Sequence, residues 1–185
     1  AMALPDRIEG LAIVSDDGMI ADDRAIQPDA LKLPADQRYF RSTLDQAAAL
    51  VHGKHSGEGG PDAAHRTRLI LTRRIAGLAP APGEPRAMLW NPEGATLAEA
   101  WDALGLSGGL LAVIGGTGPF GLFLPQYDAF HLSRAEGVRL PGGVPVFPGI
   151  PPASPEDLMA RHGLKPSPAE VLDPAARLVL TIWRR

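Results

Sequence analysis

One carboxylate lies in a segment that could place it against apolar side chains. Within residues 33–40, Asp36 comes four residues before Phe40, and this spacing puts both side chains on one face of a helix. An aspartate that loses hydration beside apolar groups has a raised pKa and can take part in proton transfer near neutral pH. Asp36 is therefore a candidate catalytic acid. The alternative is an acid that only stabilises the first helical turn through the helix dipole.

A glycine-rich turn follows the apolar run at residues 110–114 and precedes a short helical segment. Such a turn presents backbone N–H groups that can bind a pyrophosphate. Together with Gly121, its glycines match the pattern G-x-G-x-x-G, and Glu136 follows at the spacing of a dinucleotide fingerprint. A Rossmann unit normally opens its domain, however, and Pro119 removes one N–H donor from the turn. The sequence therefore leaves open a phosphate-binding turn and a purely structural one.

A third segment, at residues 52–57, follows another apolar run and combines a glycine, a lysine and a hydroxyl group. These are plausible ligands for a phosphate, and the alternative is a solvated loop. The histidines at positions 52, 55 and 65 raise the question of a metal ion. The loop between them is glycine-rich and no acid has clear ligand spacing, so we expect no metal site.

Composition and charge exclude several classes of protein. The chain has 185 residues, 45% of them apolar, and a formal net charge of −3 with scattered basic residues, which predicts a globular domain and no nucleic-acid partner. No apolar stretch approaches the roughly 20 residues of a spanning helix, and the N-terminal segment lacks the apolar core of a secretion signal. We therefore expect no membrane partner and a cytoplasmic location. The absence of cysteine excludes disulfides and thiolate chemistry.

The elements that must position these groups alternate along the chain. Apolar runs predict strands at 10–15, 48–52, 68–72, 87–90, 110–114, 129–133 and 177–183. Helical signals lie between them: an amphipathic segment at 34–44, a capping box at 96–99, and a helix start at Ser154 with Pro155 at its first position. This alternation predicts an α/β fold with a mostly parallel sheet and an antiparallel edge at the C-terminus.

Taken in order along the chain, these segments resemble the dihydrofolate reductase family. The matching pieces are a strand at 11–15, a loop at 17–21, an L-P-x-D-x-x-x-F helix at 33–40, a strand and loop at 50–56, a strand at 66–72 and a V-I-G-G turn at 113–120. The resemblance covers most of the chain and implies the fold of that family, as one domain over residues 1–185. It also implies NADPH-dependent reduction of 7,8-dihydrofolate, or a close pterin, to the tetrahydro form by hydride transfer. The expected partner is that small molecule, bound to a monomer or a homodimer.

The resemblance implies a role for each matched position. Asp36 would hold the pterin ring and promote its protonation, and Arg66 would bind the carboxylate of the substrate's glutamate tail. The other substrate-binding residues would be Ala12, Leu31, Phe40, Ile114, Phe120 and Ser133. The NADPH-binding residues would be Ile20, Ala21, Gly53, Lys54, His55, Ser56, Thr72, Arg73, Gly115, Gly116, Thr117 and Gly118.

The sequence also departs from that family. Leu31 stands in place of a tryptophan, Phe120 in place of a tyrosine, Ser133 in place of a threonine and Ala21 in place of a glycine. The segment at 15–21 is similar instead to the S-x-D-G-x-I-A opening of the riboflavin-pathway pyrimidine reductases, which share the fold. The alternatives to dihydrofolate reduction are therefore reduction of a related heterocycle such as that pyrimidine, and a binding protein that retains the pocket without turnover.

Overall fold

A computed structural model describes residues 3–54 and 65–185. Its strands are β1 (Arg7–Val14), β2 (Met19–Ala21), β3 (Ala49–Gly53), β4 (Arg68–Leu71), β5 (Leu78–Pro80), β6 (Ala87–Trp90), β7 (Leu110–Val113), β8 (Ala129–Ala135), β9 (Val144–Pro145), β10 (Lys165–Pro166), β11 (Glu170–Asp173) and β12 (Leu178–Arg184). Its α-helices are α1 (Pro34–Leu44), α2 (Leu97–Ala103), α3 (Thr117–Leu122) and α4 (Pro155–Arg161), and a short 3₁₀ helix spans Asp29–Leu31.

The main sheet has the order β10-β12-β8-β1-β7-β3-β4-β6-β5, with β11 paired to β12, and β2 and β9 form a separate ribbon. Strands β8, β1, β7, β3, β4 and β6 pair in parallel. Strand β12 pairs antiparallel with β8, and β5 pairs antiparallel with β6. The predicted α/β fold with a mostly parallel sheet and an antiparallel C-terminal edge is confirmed.

The predicted elements and the observed ones agree where the sequence signal is long. Each of the seven predicted strands is present, and α1 has the predicted bounds Pro34–Leu44. A reciprocal capping box starts α2 at Thr96 with Glu99, as the sequence predicts. Helix α4 starts after Ser154 with Pro155 at its first position, as predicted, and Asp157 completes a second capping box there. The strand before the glycine turn, β7, lies between β1 and β3. It does not open a Rossmann unit, so the G-x-G-x-x-G match is not a fingerprint of that fold.

Alternation along the strands sends apolar side chains to both faces of the sheet. One face carries the larger core, in which the aromatic rings of Phe120, Phe130 and Phe147 pack edge to face. Gly10 packs directly against this core. A Cβ at this position would lie 2.4 Å from the Phe130 ring, so the close packing requires glycine. Helix α1 covers the opposite face. Among the described residues, no helix is both long and apolar enough to cross a membrane.

Candidate active site

The Asp36 carboxyl lies half-buried between α1 and the sheet. Its loss of hydration raises the pKa of Asp36 to about 6, and a hydrogen bond with the Ser133 side chain offsets part of that rise. Ser133 is a buried residue of β8. Because proton transfer is most effective when the pKa of the acid lies near the working pH, this carboxyl has the properties of a catalytic acid.

Apolar side chains surround this end of α1. Phe40 and Ile114 pack against the cluster of Leu11, Leu44, Leu50 and Ala112 beneath the helix. Leu31 belongs to the neighbouring cluster and is 1% exposed. The structure thus brings Phe40, Ile114 and Ser133 to the same side of the sheet as Asp36, while Leu31 has almost no surface to offer a ligand.

Two predicted substrate-binding residues do not join this group. Ala12 pairs in register with Leu132 and packs with the larger core, because alternation along β1 turns its side chain to the face opposite α1. Phe120 is 2% exposed in the same core, and its carbonyl oxygen accepts a hydrogen bond from the Tyr127 hydroxyl at 2.8 Å. Both side chains therefore lie on the opposite side of the sheet from α1, and their substrate-binding role stays a prediction.

Arg66 lies at the C-terminal end of α1. Its Nη2 atom is 2.8 Å from a carboxylate oxygen of Asp45, the residue that follows the helix. The arginine side chain is 14% exposed, whereas that of Asp45 is 63% exposed. Sequence reasoning missed Asp45 because the two residues are 21 positions apart and no motif joins them.

Several of the predicted cofactor-binding residues follow the carboxyl ends of parallel strands. At the end of β3, the N–H of Gly53 donates to the carbonyl of Gly115 at 2.8 Å. Thr72 follows β4, and its hydroxyl oxygen accepts a hydrogen bond from the N–H of Arg74 at 3.1 Å. The adjacent cations Lys54 and Arg73 are exposed. Loops after neighbouring parallel strands meet at one edge of the sheet, where ligands of α/β proteins commonly bind.

The glycine turn is joined to the β2–β9 ribbon. The Thr117 hydroxyl donates to the carbonyl of Pro145 in β9 at 2.5 Å, and β9 pairs with β2, which carries Ile20 and Ala21. The Thr117 hydroxyl therefore has a structural partner, so a ligand at this turn would meet the backbone of the turn.

The geometry of the turn leaves room for a ligand. Gly115 has a φ of 126°, a conformation that favours glycine. A Cβ added at Gly118 would meet nothing within 4 Å. Lys54 follows β3, and Arg73 and Arg74 follow β4, so three exposed cations stand at the ends of neighbouring parallel strands.

Two of the expected contacts cannot be placed on this edge. His55 and Ser56 lie outside the described residues. Over 3–54 and 65–185, no group of three or more histidine, aspartate or glutamate side chains could hold a metal ion.

Comparison with known proteins gives matches in structure only. No protein-family model matches the chain, and no curated protein matches it in sequence. A protein named for riboflavin biosynthesis from Shewanella sp. PV-4 is similar with a TM-score of 0.64 and 19% identity, over 97% of this chain and 98% of that one. Dihydrofolate reductase from Enterococcus faecalis, complexed with NADP(H) and RAB-propyl, is similar with a TM-score of 0.65 and 15% identity, over 98% of each chain.

A third similar structure is a larger protein from Thermotoga maritima, a diaminohydroxyphosphoribosylaminopyrimidine deaminase and 5-amino-6-(5-phosphoribosylamino)uracil reductase. The match has a TM-score of 0.63 and 15% identity over 97% of this chain, which spans 56% of that protein. These likenesses show that the chain has the dihydrofolate-reductase-like fold, shared by folate and riboflavin-pathway reductases.

Proposed function

We propose that this chain is an NADPH-dependent reductase of the dihydrofolate reductase type, which converts 7,8-dihydrofolate or a close pterin to the tetrahydro form. The observation that carries the proposal is the Asp36 carboxyl, half-buried on α1 beside Ser133, with its pKa raised to about 6. A carboxyl group in an apolar setting suits an amino-pyrimidine edge, which donates two hydrogen bonds in the geometry that one carboxylate accepts.

The chain's own residues would orient the substrate and place a proton. Asp36 would accept hydrogen bonds from a ring N–H and the exocyclic amino group, and would promote protonation of the ring at N5. The Ser133 hydroxyl would keep the carboxyl in that orientation. NADPH, when bound, supplies the hydride for C6 of the pterin.

The carboxyl edge of the sheet would hold the cofactor. The backbone of Gly115, Gly116, Thr117 and Gly118 would approach the pyrophosphate, with Gly53 and Lys54 beside it. The resemblance adds His55 and Ser56, which lie outside the described residues, to the phosphate-binding residues. Thr72 and Arg73 would read the 2′-phosphate, and Ile20 and Ala21 of the β2–β9 ribbon would also contact the cofactor.

A second candidate is reduction of a riboflavin-pathway pyrimidine. It is supported by the opening at 15–21 and by two of the three similar structures. In that opening, the Ser15 hydroxyl donates to Asp17 at 2.5 Å and accepts from the N–H of Met19 at 3.0 Å, while Asp17 accepts from the N–H of Leu140. The motif residues thus have structural partners in this chain, so the motif alone does not select the pyrimidine.

Absorbance assays separate the two candidates. The purified protein is mixed with NADPH and either dihydrofolate or the pyrimidine, and the consumption of NADPH is followed. We expect dihydrofolate turnover; consumption of the pyrimidine alone would replace the first candidate by the second.

Fluorescence titration should also give a dissociation constant for NADPH at least tenfold below that for NADH, because each charge-assisted hydrogen bond contributes about 1.5–3 kcal/mol. Equal constants would remove Lys54 and Arg73 from the proposed 2′-phosphate site.

A further inference from the structure

Three side chains that the proposed function does not use form a hydrogen-bonded chain from α1 to β8 and β1. The Tyr39 hydroxyl lies 2.5 Å from Nδ1 of His131, and Nε2 of His131 lies 2.7 Å from a carboxylate oxygen of Glu9. Arg7 contacts the other carboxylate oxygen of Glu9 at 3.1 Å. His131 is 8% exposed, so the middle of this chain is shielded from water.

The protonation states of Tyr39 and Glu9 favour one direction for these hydrogen bonds. Burial, followed by the charges of Glu170 and Glu9, raises the pKa of the Tyr39 phenol above its ordinary value, so Tyr39 keeps its proton and donates. The hydrogen bond with His131 lowers the pKa of Glu9, so Glu9 is an ionised acceptor. When the His131 ring carries one proton, Nε2 thus donates to Glu9 and Nδ1 accepts from Tyr39.

This chain lies beside the Asp36 carboxyl. Tyr39 follows Asp36 by three residues, which places both side chains on one face of α1. His131 precedes Ser133 by two residues, which places both on one face of β8. The Asp36–Ser133 and Tyr39–His131 contacts are thus two polar links across the same gap between helix and strand.

Polar links constrain the helix in a way that apolar packing does not. Phe40 and Leu44 of α1 pack on Leu11 and Leu50 of the sheet, and such contacts depend mainly on buried area rather than on direction. Hydrogen bonds require defined distances and angles. The second polar link therefore defines where α1 stands along β8, and with it the place of the carboxyl one turn away.

We propose that His131 is a positioning residue for Asp36: through the Tyr39 hydroxyl, and anchored by Glu9, it holds α1 so that the carboxyl stays in its apolar setting beside Ser133. This inference rests on the proposed function only in taking Asp36 as the acid. A displacement of about 1 Å in a catalytic arrangement can slow a reaction about a hundredfold, so a contact of this kind has consequences for rate.

The test compares Tyr39→Phe with Ser42→Ala. Tyr39→Phe removes the hydroxyl that reaches His131 and keeps the ring. Ser42→Ala removes a hydroxyl from the same helix, one that donates only to a carbonyl of that helix at 2.9 Å. We expect Tyr39→Phe to lower kcat about tenfold with the KM for NADPH unchanged. We expect Ser42→Ala to match the wild type.

A second readout does not require turnover. NMR titration of the Asp36 carboxyl should give a pKa in Tyr39→Phe that has moved from about 6 toward the ordinary aspartate value of 3.8, because a displaced helix admits water. His131→Gln keeps an acceptor for Tyr39 and a donor for Glu9, so it should titrate like the wild type. His131→Leu should titrate like Tyr39→Phe.

The outcomes separate the inference from the proposed function. An unchanged Asp36 titration in Tyr39→Phe, or an equal change in Ser42→Ala, overturns the positioning role. If the wild type reduces neither dihydrofolate nor the pyrimidine, the proposed function fails, and the titrations of the same variants still decide whether His131 positions Asp36.

Discussion

Asp36 and Ser133 meet across the gap between α1 and β8, although 97 positions separate them in the sequence. Loss of hydration outweighs the hydrogen bond from Ser133, so the pKa of the carboxyl rises to about 6. A carboxylate held only for structure is usually paired or bonded so that its pKa falls. The balance at Asp36 is the reverse, and it favours a group that exchanges a proton near neutral pH.

Replacing the acid should affect chemistry more than cofactor binding. We expect Asp36→Asn to keep the fold and the affinity for NADPH while turnover falls by a factor on the order of 10² to 10⁴, the range for lost acid-base catalysis. The loss should shrink at low pH, where solvent can protonate the substrate. Steady-state rates between acid and neutral pH measure this. A variant as active as the wild type at neutral pH would return Asp36 to the role of a helix-start acid.

The same substitution should stabilise the folded protein at neutral pH. Since the folded-state pKa of Asp36 lies near 6 and the unfolded value near 3.8, the folded state binds more protons between these values, and stability falls as pH rises through that window. At about 1.36 kcal/mol per pKa unit, the cost above pH 7 is on the order of 2–3 kcal/mol. Asparagine is uncharged at every pH, so the Asp36→Asn variant does not lose this free energy of unfolding.

Urea unfolding at several pH values checks this expectation. The free energy of unfolding of Asp36→Asn should exceed that of the wild type at pH 7, and the difference should close as the pH approaches 4. A difference that does not vary with pH would mean that desolvation of this carboxyl is not its origin.

The extent to which the sequence predicts the fold depends on the length of each apolar run. Strand β7 is a continuous apolar segment that is buried along its whole length, so composition alone identifies it. Strands β9 and β10 have two residues each and include a proline, and they exist only because a longer partner strand lies beside them. Nothing local in the sequence indicates such pairing.

The site was predictable where a motif places a residue on a defined element. The L-P-x-D motif places Asp36 on α1, and the Gly115–Gly118 and Gly53 segments meet because the parallel strands end at one edge. The face of the sheet on which the Ala12 side chain lies depends on strand alternation, and the orientation of the Phe120 ring depends on its packing with Phe130. The contacts of His131 join residues 92 and 122 positions away, a range at which the sequence carries no signal.

Asp45 should weaken recognition of an anionic substrate tail. If Arg66 binds the glutamate carboxylate, as the resemblance to dihydrofolate reductases implies, that carboxylate competes with Asp45, which occupies Nη2 at 2.8 Å. An exposed ion pair contributes about 0.2–1 kcal/mol, so Asp45→Asn should lower the KM for dihydrofolate by a factor of about 1.4 to 5. The KM for a pterin without glutamate should not change.

A matched variant tests whether this effect belongs to Arg66. Glu84→Gln breaks a similar ion pair, between Glu84 and Arg68 at 2.7 Å, on the neighbouring strand β4. It should leave both KM values unchanged, whereas Arg66→Ala should raise the KM for dihydrofolate selectively. Equal effects on both substrates would show that the Arg66–Asp45 pair acts on stability and not on tail recognition.

Phe120 stands in place of a family tyrosine, and the structure changes the effect that we expect from restoring that tyrosine. The dihydrofolate reductase family, which the sequence resembles, has a tyrosine at this position, and a phenolic hydroxyl in a ligand pocket would be expected to raise the rate. Phe120 is instead 2% exposed and packs against Phe130 and Phe147. A hydroxyl introduced there loses its hydration in an apolar core, so Phe120→Tyr should lower the free energy of unfolding by about 1–3 kcal/mol and leave kcat unchanged. Thermal or urea unfolding and steady-state rates on the same preparation measure both quantities, and a faster enzyme of unchanged stability would mean that the ring reaches the site after all.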